Sequence, residues 1–301
     1  MPDGARPFTV RADDVTLSGE DSVGGAGIPI VLLHGLTATR RYVVMGSTAL
    51  QRAGHRVIAY DARGHGSSTP ASDPGDYGYE RLTQDLAAVL DERGIERALL
   101  AGASMGAHTA VRFALAHPER VAALAIITPA FDVKPNPFAR AAELEGWDAL
   151  ARGLREGGVE GFVAAYDLSK LPESLRPTVQ TVLRQRLAAH EHPSAVADAL
   201  EAVPRSRPFD SIEQLHELEV PTTVVGSRDE ADPGHPLAVA QHYAEAIPGA
   251  KLVVEDASVA GQPIRSPIAW QGGQLSRVIG DLAKDTAAHG GEDLRSGQAG
   301  G

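Results

Sequence analysis

Leu99-Leu100-Ala101-Gly102-Ala103-Ser104-Met105-Gly106-Ala107-His108 carries an apolar run into a helical one through a turn of small residues. Ala98 to Ala101 read as a short buried strand and Ala107 to Ala116 as an Ala-rich helix, with a G-x-S-x-G sequence between them. A serine in such a strand-to-helix turn takes a strained backbone conformation. Small residues are therefore needed two positions to either side, so that strand and helix can approach each other. The strain keeps the hydroxyl exposed above the sheet edge, at a helix N-terminus whose unpaired N–H groups favour negative charge. The pattern predicts a nucleophile at Ser104. A purely structural turn is the alternative, and the strand before and helix after it favour the nucleophile.

Outward from the elbow, strands and helices alternate. Ile28-Pro29-Ile30-Val31-Leu32-Leu33 is an apolar run suited to a central parallel strand, followed at once by His34-Gly35-Leu36-Thr37. A helix is expected from about Tyr42 to Ala53, then a strand over His55 to Tyr60 that runs into Asp61-Ala62-Arg63-Gly64-His65-Gly66-Ser67-Ser68. Leu82, Leu86, Val89 and Leu90 give helical spacing to Tyr79–Arg93, and Val121 to Ile127 reads as another buried strand. This rhythm predicts an α/β fold with a mainly parallel, doubly wound sheet.

From 132 to 210 no strand-like run occurs, only helical patches punctuated by prolines, which predicts a helical cap inserted between core segments 1–131 and 211–285. Alternation resumes with Thr222 to Val225, a helix from Leu237 to Ile247, Lys251 to Val254, and a last helix starting at Ser266-Pro267. Residues 286–301 are expected to be a polar, disordered tail.

The 301 residues are 43% hydrophobic and 22% charged, an ordinary globular composition. No run of eighteen apolar residues is present, the N-terminus lacks a signal-like apolar stretch, and there is no cysteine. Thiol chemistry and disulfides are excluded, and a reducing cytoplasmic location is expected. A net charge of −11 argues against a nucleic-acid surface.

Three motifs in order carry a resemblance: His34-Gly35 after one strand, Asp61-x-Arg63-Gly64-x-Gly66-x-Ser68 after the next, and the serine elbow. Over roughly residues 25 to 285 the chain resembles the α/β-hydrolase superfamily. Within it, the similarity is to the cap-bearing branch of small esterases, lactonases, epoxide hydrolases and cofactor-free haloperoxidases. The resemblance implies Ser104 as nucleophile and the backbone N–H groups of Leu36 and Met105 as oxyanion donors, with His34 and Gly35 shaping that loop. It implies no cofactor and no metal, and a small, fairly apolar ester, thioester or lactone as substrate. A serine at the elbow disfavours epoxide hydrolase and dehalogenase chemistry. In this pattern Asp61, Arg63 and His65 read as a structural turn.

The acid should follow the strand after the cap, where Gly226-Ser227-Arg228-Asp229 offers Asp229, with Glu230, Asp232 and Asp132 as competitors. The family's histidine normally lies in the loop after the last strand, but Glu255 to Ser266 contains none. A serine without its base is a poor nucleophile. His235, in the acid-bearing loop, is the leading substitute. His108 is expected to project alongside its helix, and His190-Glu191-His192 to lie at the surface. The alternative function is a non-catalytic protein of the same fold that binds a small ligand.

Overall fold

The computed structural model describes residues 5–25, 27–131, 137–255 and 270–296. The first strands, β1 (Arg6–Ala12) and β2 (Val15–Asp21), form an antiparallel hairpin. β3 (Ile30–Leu33), β4 (Val57–Tyr60), β5 (Ala98–Ala103), β6 (Val121–Ile127), β7 (Thr222–Gly226) and β8 (Lys251–Val254) pair in parallel. The strand order is β1-β2-β4-β3-β5-β6-β7-β8, so the elbow strand β5 lies in the middle of the sheet.

Why these runs are apolar throughout is visible in their two faces. Val31, Leu33, Leu100, Leu124 and Ile126 pack on one side with α2 (Tyr79–Glu92), α3 (Met105–Ala116) and α7 (Leu237–Ala246). Ile30, Leu32, Leu99, Ala101 and Ala125 pack on the other with α1 (Ala49–Arg52) and α8 (Gly272–Ser296). A period of two with both faces covered produces a continuous hydrophobic run. The doubly wound α/β sheet expected from the sequence is thus present.

Between β6 and β7 lie α4 (Pro137–Ala165), α5 (Arg176–Leu187) and α6 (Pro193–Arg205). These helices have their own apolar centre, including Leu154, Phe162, Leu183 and Leu200, onto which Leu36 of the core packs. A second seam joins Ala195, Ala199 and Val203 of α6 to Tyr79, Leu82 and Met105. The insertion is therefore packed against the loops that surround Ser104.

Two boundaries differ from the sequence reading. The helix expected over Tyr42–Ala53 shrinks to Ala49–Arg52, because Met45 (φ 46°) and Gly46 (φ 73°) turn the chain out of helical conformation. At the start of the insertion, α4 consists of two helical segments that meet at a kink where Gly158 takes φ 59°. Residues 286–296, expected to be disordered, continue α8. Its apolar stripe through Leu275, Ile279 and Leu282 anchors the helix, and Gly290 and Gly291 each cost only about 1 kcal/mol relative to Ala. The expected helix start at Ser266-Pro267 lies outside the described residues.

Candidate active site

Ser104 takes φ 51° and ψ −113°, the left-handed region that a β-carbon disfavours, at a cost of about 1–3 kcal/mol. Its N–H donates to Ile127 O at 3.0 Å and its carbonyl accepts from His108 N at 3.0 Å, so the turn is fixed from the sheet and from the helix. Gly102 and Gly106 are required by contact. A β-carbon on Gly102 would overlap the Gly106 carbonyl, and one on Gly106 would overlap the Leu33 carbonyl. Gly35 approaches from the other side, with Ser104 Cβ 3.3 Å from where its own β-carbon would stand.

His235 lies across from the serine, its Nε2 2.8 Å from Ser104 Oγ and its Nδ1 2.7 Å from Asp232 Oδ1. With the carboxylate on Nδ1, the ring carries its proton there and offers the Nε2 lone pair to the hydroxyl. Asp232-Pro233-Gly234-His235 is a turn closed by His235 N–H donating to Asp232 O at 3.2 Å, which sets the two side chains next to each other. Burial pulls the Asp232 carboxyl upward, but His235 and the Arg186 guanidinium outweigh it and hold the group below its ordinary value.

Asp229, the carboxylate preferred from the sequence, is not the one at the histidine. Its Oδ1 accepts from Ala231 N–H at 2.9 Å and so shapes the loop. Asp132 and the segment 256–269 lie outside the described residues.

The two expected oxyanion donors are unengaged. Neither the Leu36 nor the Met105 N–H has an acceptor among the described residues, and Met105 is the first residue of α3. His34 is not exposed to a substrate. It is buried behind the loop, its Nδ1–H donating to Gly35 O at 2.8 Å and its Nε2 accepting from Ala62 N–H at 2.9 Å. Desolvation lowers its pKa to about 4, so it stays neutral and locks the loop. The neighbouring motif is structural as expected: Arg63 forks onto Asp85 at 2.7 and 2.8 Å, and Asp61 gathers Arg40 and the Ser67 N–H.

His190, expected at the surface, is buried between insertion and core. Its Nδ1 accepts from Gly66 N–H at 2.8 Å and its Nε2–H donates to Thr37 O at 2.9 Å. Arg186, one turn earlier, was not singled out by the sequence. Its Nη2 donates to Leu36 O and Thr37 Oγ1, both at 3.1 Å, and its guanidinium lies over the Tyr42 ring. Its spacing from Val179 and Leu183, which face the core of the insertion, is the only signal that could have drawn attention to it.

Ser104 opens into two chambers. The larger, about 210 Å3, has Gly35, Arg186, Asp232, His235 and Trp270 in its wall, with Val179 and Leu183 from the insertion. The smaller, about 80 Å3, has Leu36, Met105, Tyr79 and His108 in its wall. Among the described residues no group of three or more His, Asp or Glu side chains is arranged to hold a metal ion. No helix among the described residues is long and apolar enough to cross a membrane.

The decisive comparison is with a family model described as the alpha/beta hydrolase fold, which matches residues 28–258. The chain belongs to the α/β-hydrolase family. A 2-hydroxy-6-oxononadienedioate/2-hydroxy-6-oxononatrienedioate hydrolase of Paraburkholderia phymatum is 35% identical over 211 residues, covering 68% of this chain and 70% of that protein. A putative carbamate hydrolase of Pseudomonas savastanoi pv. phaseolicola is 28% identical over 80% of this chain and 90% of its own. Among solved structures, a thermophilic esterase from Thermogutta terrifontis superposes with a TM-score of 0.72 at 26% identity, covering 94% of this α/β hydrolase and 99% of the esterase. These relatives are hydrolases named for small molecules, and hydrolase activity is the property shared with this chain.

Proposed function

We propose that this α/β hydrolase cleaves a small carboxylic ester, thioester or lactone through Ser104, with His235 as general base and Asp232 as its orienting acid. The observation that carries the reading is the 2.8 Å contact between His235 Nε2 and Ser104 Oγ, at a serine held in the strained elbow conformation. Ser104 Oγ attacks the acyl carbon and passes its proton to Nε2. The resulting oxyanion is received by the Leu36 and Met105 N–H groups, each such donor contributing about 3 kcal/mol. His235 then returns the proton to the leaving group, and in the second half it activates the water that releases the acid. The insertion acts as the cap that walls the larger chamber.

One sequence observation favours the alternative of a non-catalytic ligand binder, the absence of histidine between Glu255 and Ser266. His235 on the serine weighs against it, because a binder has no need of a base there. Hydrolysis of 4-nitrophenyl butanoate, followed for the wild type and Ser104→Ala, tests the proposal. Turnover that is lost in the variant supports it, and turnover that survives overturns it.

A further inference from the structure

His108 and Tyr79 form a hydrogen-bond chain in the wall of the smaller chamber, and its polarity follows from the backbone. The N–H groups of Ala130 and Phe131 both donate to His108 Nε2 at 3.1 Å. Two donors on one ring nitrogen require it to be unprotonated, so the ring proton sits on Nδ1. Nδ1 is 2.9 Å from Tyr79 Oη, and the tyrosine oxygen is therefore the acceptor in that bond. The Tyr79 hydroxyl proton is left over, and no protein acceptor for it is present among the described residues. Burial lowers the His108 pKa to about 3 and raises that of Tyr79, so both stay neutral and the chain keeps this direction. Both rings line the chamber that Ser104, Leu36 and Met105 also line.

The position of His235 says which part of a substrate enters. It lines the larger chamber and not the smaller. A leaving group must lie against His235 Nε2 to be protonated, which assigns it to the larger chamber and turns the acyl chain toward the smaller one. The smaller chamber has about half the volume of a cavity that accepts benzene, which limits the chain to roughly three or four non-hydrogen atoms.

We propose that the smaller chamber is an acyl subsite for short acyl groups bearing an acceptor oxygen, with the Tyr79 hydroxyl as the donor that selects for that oxygen. A purely hydrocarbon chain would leave this buried donor unpaired, which discriminates against it. The proposal rests on Ser104 acting as the nucleophile.

The test compares 4-nitrophenyl esters of butanoic, methoxyacetic, 3-methoxypropanoic and octanoic acids on the wild type and Tyr79→Phe. The leaving group is constant, and the ratio of kcat/KM values between wild type and variant cancels intrinsic ester reactivity. The expected result has two parts. The octanoate reacts at least about a hundredfold more slowly than the butanoate. In Tyr79→Phe the kcat/KM of one of the oxygen-bearing esters relative to the butanoate falls roughly tenfold, through a loss on the oxygen-bearing ester, a gain on the butanoate as the unpaired donor is removed, or both. Equal rates for octanoate and butanoate, or a preference for oxygen that is the same in both proteins, overturns the proposal. If no ester is turned over, or Ser104→Ala retains the activity, the serine reading fails instead. Calorimetric binding of methoxyacetate and butanoate to wild type and Tyr79→Phe then decides the subsite alone. Methoxyacetate binding that weakens at least about fivefold in the variant supports it, and binding that is equal in both overturns it.

Discussion

Asp232 and His235 are three residues apart in one loop, and their side chains meet at 2.7 Å while the far side of the imidazole reaches Ser104. The proposed acid and base thus come from a single turn, so the pair is prealigned by four residues of backbone rather than by the docking of two loops. Holding the imidazole in the Nδ1–H tautomer is the task of the acid in a serine triad, and its conversion to an amide costs on the order of 10^4 in kcat.

From this it follows that Asp232→Asn lowers kcat for a reactive ester by about a thousandfold or more. Asp229→Asn, at a carboxylate that accepts from the Ala231 N–H rather than from His235, stays within about tenfold of the wild type. Steady-state kinetics on the two variants checks the assignment, and the reverse order would return the acid to Asp229.

Arg186 ties the insertion to the loop that carries the Leu36 N–H, and it also stands near Asp232. Arg186→Met removes two charge-assisted hydrogen bonds of about 1.5–3 kcal/mol each at most. The expected outcome is a fall of about tenfold to a hundredfold in kcat, with KM changing less. Arg186 is also one of the charges that hold the Asp232 carboxyl below its ordinary value, so without it that carboxyl protonates more readily and the acid limb of the kcat/KM profile moves to higher pH. A pH–rate profile of the variant reads both effects.

The buried histidines predict an acid-sensitive fold. His34 and His108 are neutral when folded, burial holding them at about 4 and about 3, whereas in the unfolded chain they titrate near 6.5. Below pH 6.5 the unfolded state binds more protons, so stability is full above that value and falls as pH decreases toward the folded pKa values. By pH 5 the loss is about 2 kcal/mol for each of the two. Burial shifts His65 and His190 in the same direction. Urea denaturation between pH 7 and pH 5 should show the midpoint falling, and a midpoint independent of pH over that interval would contradict the neutral assignment.

The elbow glycines predict a packing limit. Gly106→Ala forces a β-carbon into the Leu33 carbonyl, a backbone atom with nowhere to move, and should cost about 3 kcal/mol or more or prevent folding. Gly146→Ala, within α4, has open space around it and should stabilise by up to about 1 kcal/mol. Thermal unfolding of the two variants separates them.

How much of this was legible in the sequence depended on whether a feature is local. The apolar runs of β3, β5 and β6 report burial on both faces, and the spacing of Gly102, Ser104 and Gly106 reports a close strand–helix approach, so the sheet and the elbow could be read directly. Asp229, Glu230 and Asp232 are alike in composition and spacing. Only the turn through Pro233-Gly234 decides which carboxylate faces the ring. That turn signature was present, and it is the signal that would have favoured Asp232. Arg186 and His190 owe their roles to contacts between the insertion and loops far away in sequence, and Tyr79 to a contact between the core helices α2 and α3, at separations that no periodicity reports. His190 read as surface for that reason.

Everything proposed for the site depends on the activation of Ser104 by His235. Labelling with a fluorophosphonate probe, mapped by peptide mass spectrometry on wild type, Ser104→Ala and His235→Ala, tests it most directly. If His235 activates Ser104, one labelled residue, Ser104, is expected in the wild type at neutral pH. None is expected in Ser104→Ala, and a rate lower by about a thousandfold or more in folded His235→Ala. A wild type that does not label at neutral or mildly alkaline pH, or a His235→Ala variant that labels as fast as the wild type, would contradict that activation.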